Sequence, residues 1–297
     1  MKHTDVKTKR KPHMYYAALE AGGTKMVCAI SDENKKIIDK VTIPTDTADV
    51  SVPKMIEYFR RYPVASLGIG TFGPVCVDRK SSDYGKILKS PKKSWEGFNF
   101  CQTFSDALRC PVVVDTDVNA AALGEYLYGN LQGLSSCLYI TVGTGIGGGF
   151  LVDGKPLHGM VHPEMGHVLL QRRQDDRVPS VCRCHENCLE GLASGSMLTQ
   201  RTGMNGKSIP ADSEVWDLEA YYLAQAIVDY TMVLSVERVV LGGGVMENEF
   251  LFPMIRKYYA ELMNGYIESP RVCDLENYIV PAGLRGEQGI IGAMNLI

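Results

Sequence analysis

Apolar residues in this chain gather in short runs broken by glycine, and the segment 15-YYAALEAGGTKMVCAISDENKKIIDKVTI-43 sets the scheme. It predicts an apolar strand, a Gly-Gly-Thr turn, a second apolar strand, a polar turn and a third strand, which is a meander and not a strand-to-helix unit. The layout returns at 137-CLYITVGTGIGGGFLVDGKPL-157 as strand, glycine-rich turn with a threonine, strand and Asp-Gly turn. Two related halves are therefore expected. A third apolar strand ending in glycines, 237-ERVVLGGGVMENEFLFPMIRKYYAEL-262, is predicted to run into an amphipathic helix. Between the meanders, 111-PVVVDTDVNAAALGEYLYG-129 predicts a strand that ends in Asp115-Thr116-Asp117 and passes directly into an alanine-rich helix.

Glycine lets a backbone approach an anion closely and adopt positive φ, so two Gly/Thr hairpins facing one cleft can offer N–H groups and a hydroxyl to a nucleotide's phosphates. The helix after the third loop can face the same nucleotide with its N-terminus. A single Gly-Gly pair marks only a turn, and the three loops together carry the reading. Gly143, Gly145 and Gly148 satisfy G-x-G-x-x-G, but 149-GFLVDG-154 reads as a strand where a dinucleotide fold needs a helix. No G-x-x-x-x-G-K-[ST] occurs, which excludes a P-loop on motif grounds. Asp117 at its strand-to-helix junction either caps the helix or, beside two candidate phosphate loops, accepts a hydroxyl proton. Phosphoryl transfer to an alcohol needs positioning, charge stabilisation and one such base, and the neighbouring loops favour that role. Thr116 and Asn119 are candidates to hydrogen-bond a polyol, although Asn119 can equally lock the helix start.

The chain has 297 residues, enough for one large α/β domain or two lobes. A hydrophobic fraction of 45%, a charged fraction of 22% and a net charge of -3 give no global pull toward nucleic acid or membrane, so a small-molecule partner is expected. The apolar runs are far shorter than the roughly 20 residues of a membrane span. The opening MKHTDVKTKRKPHM is basic without an apolar run behind it, which reads as a flexible arm over 1–13 and not as a secretory signal. Without a signal the nine cysteines read as reduced and the protein as cytoplasmic. Six of them scatter, mostly in apolar stretches. The other three crowd into 181-VCRCHENCLEG-191, where Cys182, His185 and Cys188 form Cys-x-x-His-x-x-Cys. These are three ligands of the kind zinc prefers, and a structural tetrahedral site needs a fourth. Free thiols or a disulfide are the alternatives, and the clustering in a reducing compartment favours zinc.

From Tyr15 to Ile297 the sequence resembles the ROK sugar kinases (repressor, open reading frame, kinase) of the actin/hexokinase superfamily. The stretches that carry the resemblance are 20-EAGGTK-25, 69-IGTFGPV-75, 115-DTDVNAAALGE-125, 141-TVGTGIGGG-149, 162-HPEMGH-167, 182-CRCHENCLEGLASG-195, 241-LGGGVM-246 and 278-YIVPAGLRGEQGIIGAM-294. Within that family it most resembles the bacterial fructokinases, on Glu20 before Gly-Gly-Thr-Lys, the Asp-Thr-Asp-Val-Asn run and 162-HPEMGH-167. Thr116, where family glucokinases tend to have Asn, puts glucose specificity in doubt.

The resemblance implies an α/β, actin-like ATPase (ribonuclease H-like) duplicated fold with two lobes and a cleft between them. The small lobe is expected over 14–118, with a C-terminal helix 286–297 that can return to it, and the large lobe over 119–285 with a zinc-binding loop at 162–191. It further implies an ATP- and Mg²⁺-dependent hexose kinase acting on the 6-hydroxyl of D-fructose. Asp117 is then the catalytic base, and Gly22, Gly23, Thr24, Lys25, Gly143, Thr144, Gly145, Gly243 and Gly244 bind ATP. Gly73, Thr116, Asp117, Glu164 and Glu190 bind sugar, and Glu20 helps hold Mg²⁺ through water. His167 becomes the fourth ligand of a structural Zn²⁺, with Cys184 spare, and the metal aims Glu164 and Glu190 at the sugar. The stretch 84-YGKILKSPKKSWEGFNF-100 resembles a fructokinase loop along the sugar cleft, but its lysines receive no role and read equally as a solvated face. Kinases for glucose, mannose or N-acetylmannosamine, or a sugar-sensing ROK repressor, are the alternatives. The 19 residues before Glu20 are too few for the repressor's helix-turn-helix domain. A homodimer is expected from the family, with no nucleic acid and no membrane as partner.

Overall fold

A computed structural model describes residues 14–297 apart from residue 91. The arm expected over 1–13 and the proline of the Ser-Pro-Lys stretch lie outside the described residues.

Strands β1 (Tyr15–Ala21), β2 (Lys25–Ser31) and β3 (Ile37–Pro44) form the first antiparallel meander. Helix α1 (Ala48–Phe59) leads to β4 (Val64–Thr71), parallel to β1, and α2 (Phe100–Leu108) leads to β5 (Val112–Thr116), parallel to β4. Helix α3 (Asp117–Tyr128) crosses to the second meander, β6 (Ser136–Val142), β7 (Ile146–Val152) and β8 (Lys155–Pro156). Next come α4 (Leu189–Ala193), α5 (Gly195–Thr202), α6 (Val215–Leu234) and β9 (Arg238–Gly242), which runs parallel to β6. Helices α7 (Leu251–Met263), α8 (Pro270–Cys273) and α9 (Leu275–Tyr278) precede β10 (Ile279–Pro281), and α10 (Gln288–Met294) ends the chain.

The sheet orders are β3-β2-β1-β4-β5 and β10-β9-β6-β7-β8. Read from the meander edge, both run third, second, first, fourth, fifth, so the expected duplication is present in the topology itself.

Strand β1 is apolar apart from Glu20 near its end, because both of its faces are covered. Ala17 and Leu19 pack on Met55 and Phe59 of α1 and Phe104 of α2, while Ala18 packs on Ala120 of α3 and Ile290 and Ala293 of α10. Successive side chains of a strand point to opposite faces, which sends alternate residues into the two layers. Helix α3 serves both sheets, since Ala121 and Ala122 belong to the layer under Tyr139, Leu151 and Val240 of the second sheet. Small residues let it approach α10 closely. A Cβ on Gly292 would lie 1.6 Å from the Ala120 carbonyl oxygen, and one on Gly124 would lie 2.2 Å from that of Gln288. The end of the chain thereby returns to the first sheet. On the far side of the second sheet α6 and α7 bury Trp216, Tyr222, Ile227, Ile255 and Tyr259 in the largest apolar cluster.

The third glycine loop departs from its expected form. Strand β9 does not run straight into a helix, because a 3₁₀ turn at Gly244–Glu247 intervenes and α7 starts only at Leu251. Gly243 has φ +91° and would bring a Cβ within 2.4 Å of the Val142 carbonyl oxygen, so the chain reverses there where only glycine fits. Among the described residues no helix is long and apolar enough to cross a membrane.

Candidate active site

The junction of β5 and α3 lies between the two sheets. Thr116, not Asp117, is the helix N-cap: its side-chain oxygen accepts from the Asn119 N–H at 3.1 Å. That leaves the Asp117 carboxylate, half-buried, with the Val118 N–H at 2.9 Å as a partner. Burial pushes its pKa up to about 6, against the pull of backbone N–H donors.

Thr116 and Asn119, expected to contact a polyol, are 3% and 1% exposed and are used inside the junction. Asn119 donates to Asp115 Oδ1 at 2.8 Å, and His158 Nε2 lies 3.0 Å from Asp115 Oδ2. Asn119 thus takes the helix-start role that stood beside the polyol one, and Thr116 caps the helix, as a short polar side chain at a helix start readily finds a backbone N–H. His158 escaped the sequence reading because its partner Asp115 is 43 residues away.

Asp117, Glu20, Glu164 and Glu190 form one group of four carboxylates. Burial and the charge of Asp117 push Glu20 up to about 7, while Lys25 pulls it down. Burial, then Glu190, then Asp117 push Glu164 up to about 7. Such mutual influence requires proximity, and it means that Glu20 and Glu164 do not both carry full charge at neutral pH. Glu20 lies over Gly289 of α10, where a Cβ would approach its carboxylate to 2.6 Å.

Two of the glycine loops meet directly. In the β6–β7 turn the Gly143 N–H donates to the Gly145 carbonyl at 2.9 Å, and the start of α5 closes on it through Gly195 N–H to Gly143 O at 2.7 Å. Gly243 packs on Val142 at the end of β6, and a Cβ on Gly244 beside it would meet nothing within 4 Å. Gly143 and Gly145 are partly open and Thr144 is exposed. On the first sheet the Gly22 N–H donates to the Lys25 carbonyl at 3.0 Å, leaving Gly23, Thr24 and Lys25 exposed at the tip. This turn joins the site through Glu20.

Gly73 lines the opposite wall, where a Cβ would lie 3.1 Å from His162 Cε1 and 3.6 Å from Glu164 Oε1. His162 is 4% exposed and its Nε2 accepts from the Val75 N–H at 3.1 Å. Its proton therefore sits on Nδ1, 3.6 Å from Glu164 Oε1. Glu190 Oε2 accepts from the Ile146 N–H at 3.0 Å and occupies the space that a side chain on Gly145 would fill.

His167, Cys182, His185 and Cys188 offer ligand atoms that all lie within 4.8 Å of one another. Cys188 Sγ is 3.5 Å from His167 Nδ1, and Cys182 Sγ is 3.8 Å from His167 Nδ1 and 3.7 Å from His185 Nδ1. Tetrahedral zinc with bonds of about 2.3 Å to sulfur and about 2.0 Å to nitrogen separates sulfur from nitrogen by about 3.5 Å. The donor set thus fits zinc in chemistry and in spacing. Cys184 is exposed and stands outside the set. Backbone bonds already pair the two segments, Leu189 N–H to Val168 O at 3.0 Å and Leu170 N–H to Asn187 O at 2.8 Å. His167 turns its other nitrogen, Nε2, to Glu190 Oε1 at 3.9 Å, so the cluster backs onto the carboxylate wall.

The chain is similar to a fructokinase of Pediococcus pentosaceus, 41% identical over 95% of this chain and 97% of that protein. It is equally similar to a fructokinase of Zymomonas mobilis, 41% identical over 95% of each. Among solved structures, the ROK hexokinase of Thermus thermophilus aligns with a TM-score of 0.75 at 27% identity, covering 95% of this chain and 97% of that one. The sequence profile of the ROK family matches residues 16–297, and the chain belongs to the ROK family.

Proposed function

We propose that this protein is an ATP-dependent fructokinase that transfers the γ-phosphoryl of ATP to the 6-hydroxyl of D-fructose. The observation that carries the chemistry is the half-buried Asp117 carboxylate, held by the Val118 N–H and pushed up to about 6 by burial, beside Glu20, Glu164 and the glycine turns. A base in that range is largely ionised at neutral pH yet basic enough to take a hydroxyl proton as it is lost. The names of the close relatives support fructose as the acceptor.

Asp117 accepts the proton of the attacking hydroxyl. Glu164 and Glu190 accept from the other hydroxyls of the sugar, with Gly73 leaving room at the wall and His162 steadying Glu164. The turns Gly22–Lys25 and Gly143–Gly145, with Gly243 and Gly244, hold the nucleotide. When bound, Mg²⁺ neutralises charge on the phosphates. Glu20 is the chain's group for it, since a cation there would relieve its repulsion with Asp117. His167, Cys182, His185 and Cys188 would hold a structural zinc, which supplies rigidity and no step of the reaction. Four protein ligands would leave such a metal no open position, and His167, held in that set, would fix Glu190 through its Nε2.

Incubation with ATP and fructose, followed by phosphorus NMR of the product, tests this reading. Fructose 6-phosphate is expected. Fructose 1-phosphate, or ADP release without a sugar phosphate, would refute it.

A further inference from the structure

Lys92 is set apart from the other lysines of its loop by where it ends. Its ammonium donates to the carbonyl of Gly23, at the tip of the first glycine turn, and lies 5.3 Å from the centre of the Phe72 ring. The loop that carries it is fixed at both ends. Ser90, 3% exposed, donates to the Gly73 carbonyl at 3.2 Å and accepts from the Lys92 N–H at 3.2 Å. Trp95, 1% exposed, donates to the Asp46 carbonyl at 2.8 Å and stacks on Phe100 at 5.5 Å. Ser90 thus meets Gly73, on the wall with Glu164, while Lys92 meets Gly23, on the phosphate side.

An ammonium has three donors, and a single carbonyl uses one of them. Among the described residues no carboxylate pairs with Lys92, whereas Lys40, Lys86 and Lys93 each have one. Partial burial also pulls its pKa below the ordinary lysine value. Lys25, the lysine of the turn itself, is exposed at the start of β2.

Resting on the kinase reading, we infer that Lys92 is a catalytic residue whose ammonium binds the γ-phosphoryl group between sugar and nucleotide and stabilises the charge on its oxygens during transfer. The anchored loop presets the ammonium so that little reorganises during reaction. The Gly23 carbonyl orients the ammonium and remains a partner when phosphate takes the other donors.

The test compares wild type with Lys92→Met, which keeps the apolar stem over Phe72, and Lys92→Arg, which restores a cation. Steady-state kinetics are paired with calorimetric affinities for Mg²⁺-ADP and for the Mg²⁺ complex of a non-hydrolysable imido-triphosphate. For Lys92→Met the expected fall in kcat is about 100-fold or more, with the fructose KM within about threefold. Its affinity for the triphosphate analogue should drop about tenfold while that for ADP stays within about twofold, and Lys92→Arg should recover part of kcat. A kcat/KM for ATP within about threefold of wild type would overturn the inference. So would a parallel loss of analogue, ADP and fructose affinity, which is the signature of a structural strap. The calorimetric comparison needs no acceptor sugar, so a wild-type protein that ignores fructose would refute the substrate reading and leave Lys92 to be judged on the two nucleotides.

Discussion

Replacing Asp117 by Asn should stop turnover and, at the same time, stabilise the fold. The Asp117 pKa rises from 3.8 to about 6 through burial. By linkage, that rise costs the folded protein about 3 kcal/mol whenever the group is ionised. The sign follows from the direction of the shift. Between about pH 4 and pH 6 the folded chain holds a proton that the unfolded chain has released, so wild-type stability falls as pH rises through that window. Above it the full penalty persists. Asparagine keeps the shape and the Val118 contact but carries no charge, and it also lifts part of the repulsion felt by Glu20 and Glu164. Urea unfolding at pH 8 should therefore show Asp117→Asn more stable than wild type by about 2–3 kcal/mol, with the gap closing as pH approaches about 4. The same variant should lose about 10²–10⁴-fold in kcat with its sugar affinity retained. A variant no more stable at pH 8, a gap that ignores pH, or a near-normal kcat would each refute the reasoning.

Other expectations can be checked alongside. The kcat of the wild type should fall on the acid side with an apparent pKa near 6, because the base must be ionised; a profile flat from pH 8 to pH 5 would contradict the assignment. Metal analysis should find about one zinc per chain, lost in Cys188→Ser and kept in Cys184→Ser, with loss of metal raising the fructose KM more than the ATP KM. Gly292→Ala should destabilise by about 1–3 kcal/mol or more in urea unfolding, since its methyl would meet the Ala120 carbonyl where α3 crosses α10.

The meanders were legible because their apolar runs are long enough to cross a sheet and their turns carry Gly-Gly-Thr, Asp-Gly or Gly-Thr-Gly. The Cys/His cluster was legible because three of its four residues fall within seven positions. What escaped depends on contacts between distant residues or on a choice between neighbours. In Asp115-Thr116-Asp117 either of the last two can cap a helix, and only the backbone geometry gives that task to Thr116. The apolar Val245 and Met246 read as the start of a helix, but the positive φ of Gly243 bends them into a 3₁₀ turn. Lys92 and His158 are unremarkable in sequence because Gly23 and Asp115, the groups they meet, lie 69 and 43 residues away.

The most direct test of the central claim is kcat/KM with ATP across a panel of D-fructose, D-glucose, D-mannose and N-acetylmannosamine. Fructose is expected to rank first. A protein that prefers glucose or N-acetylmannosamine to fructose would contradict the assignment.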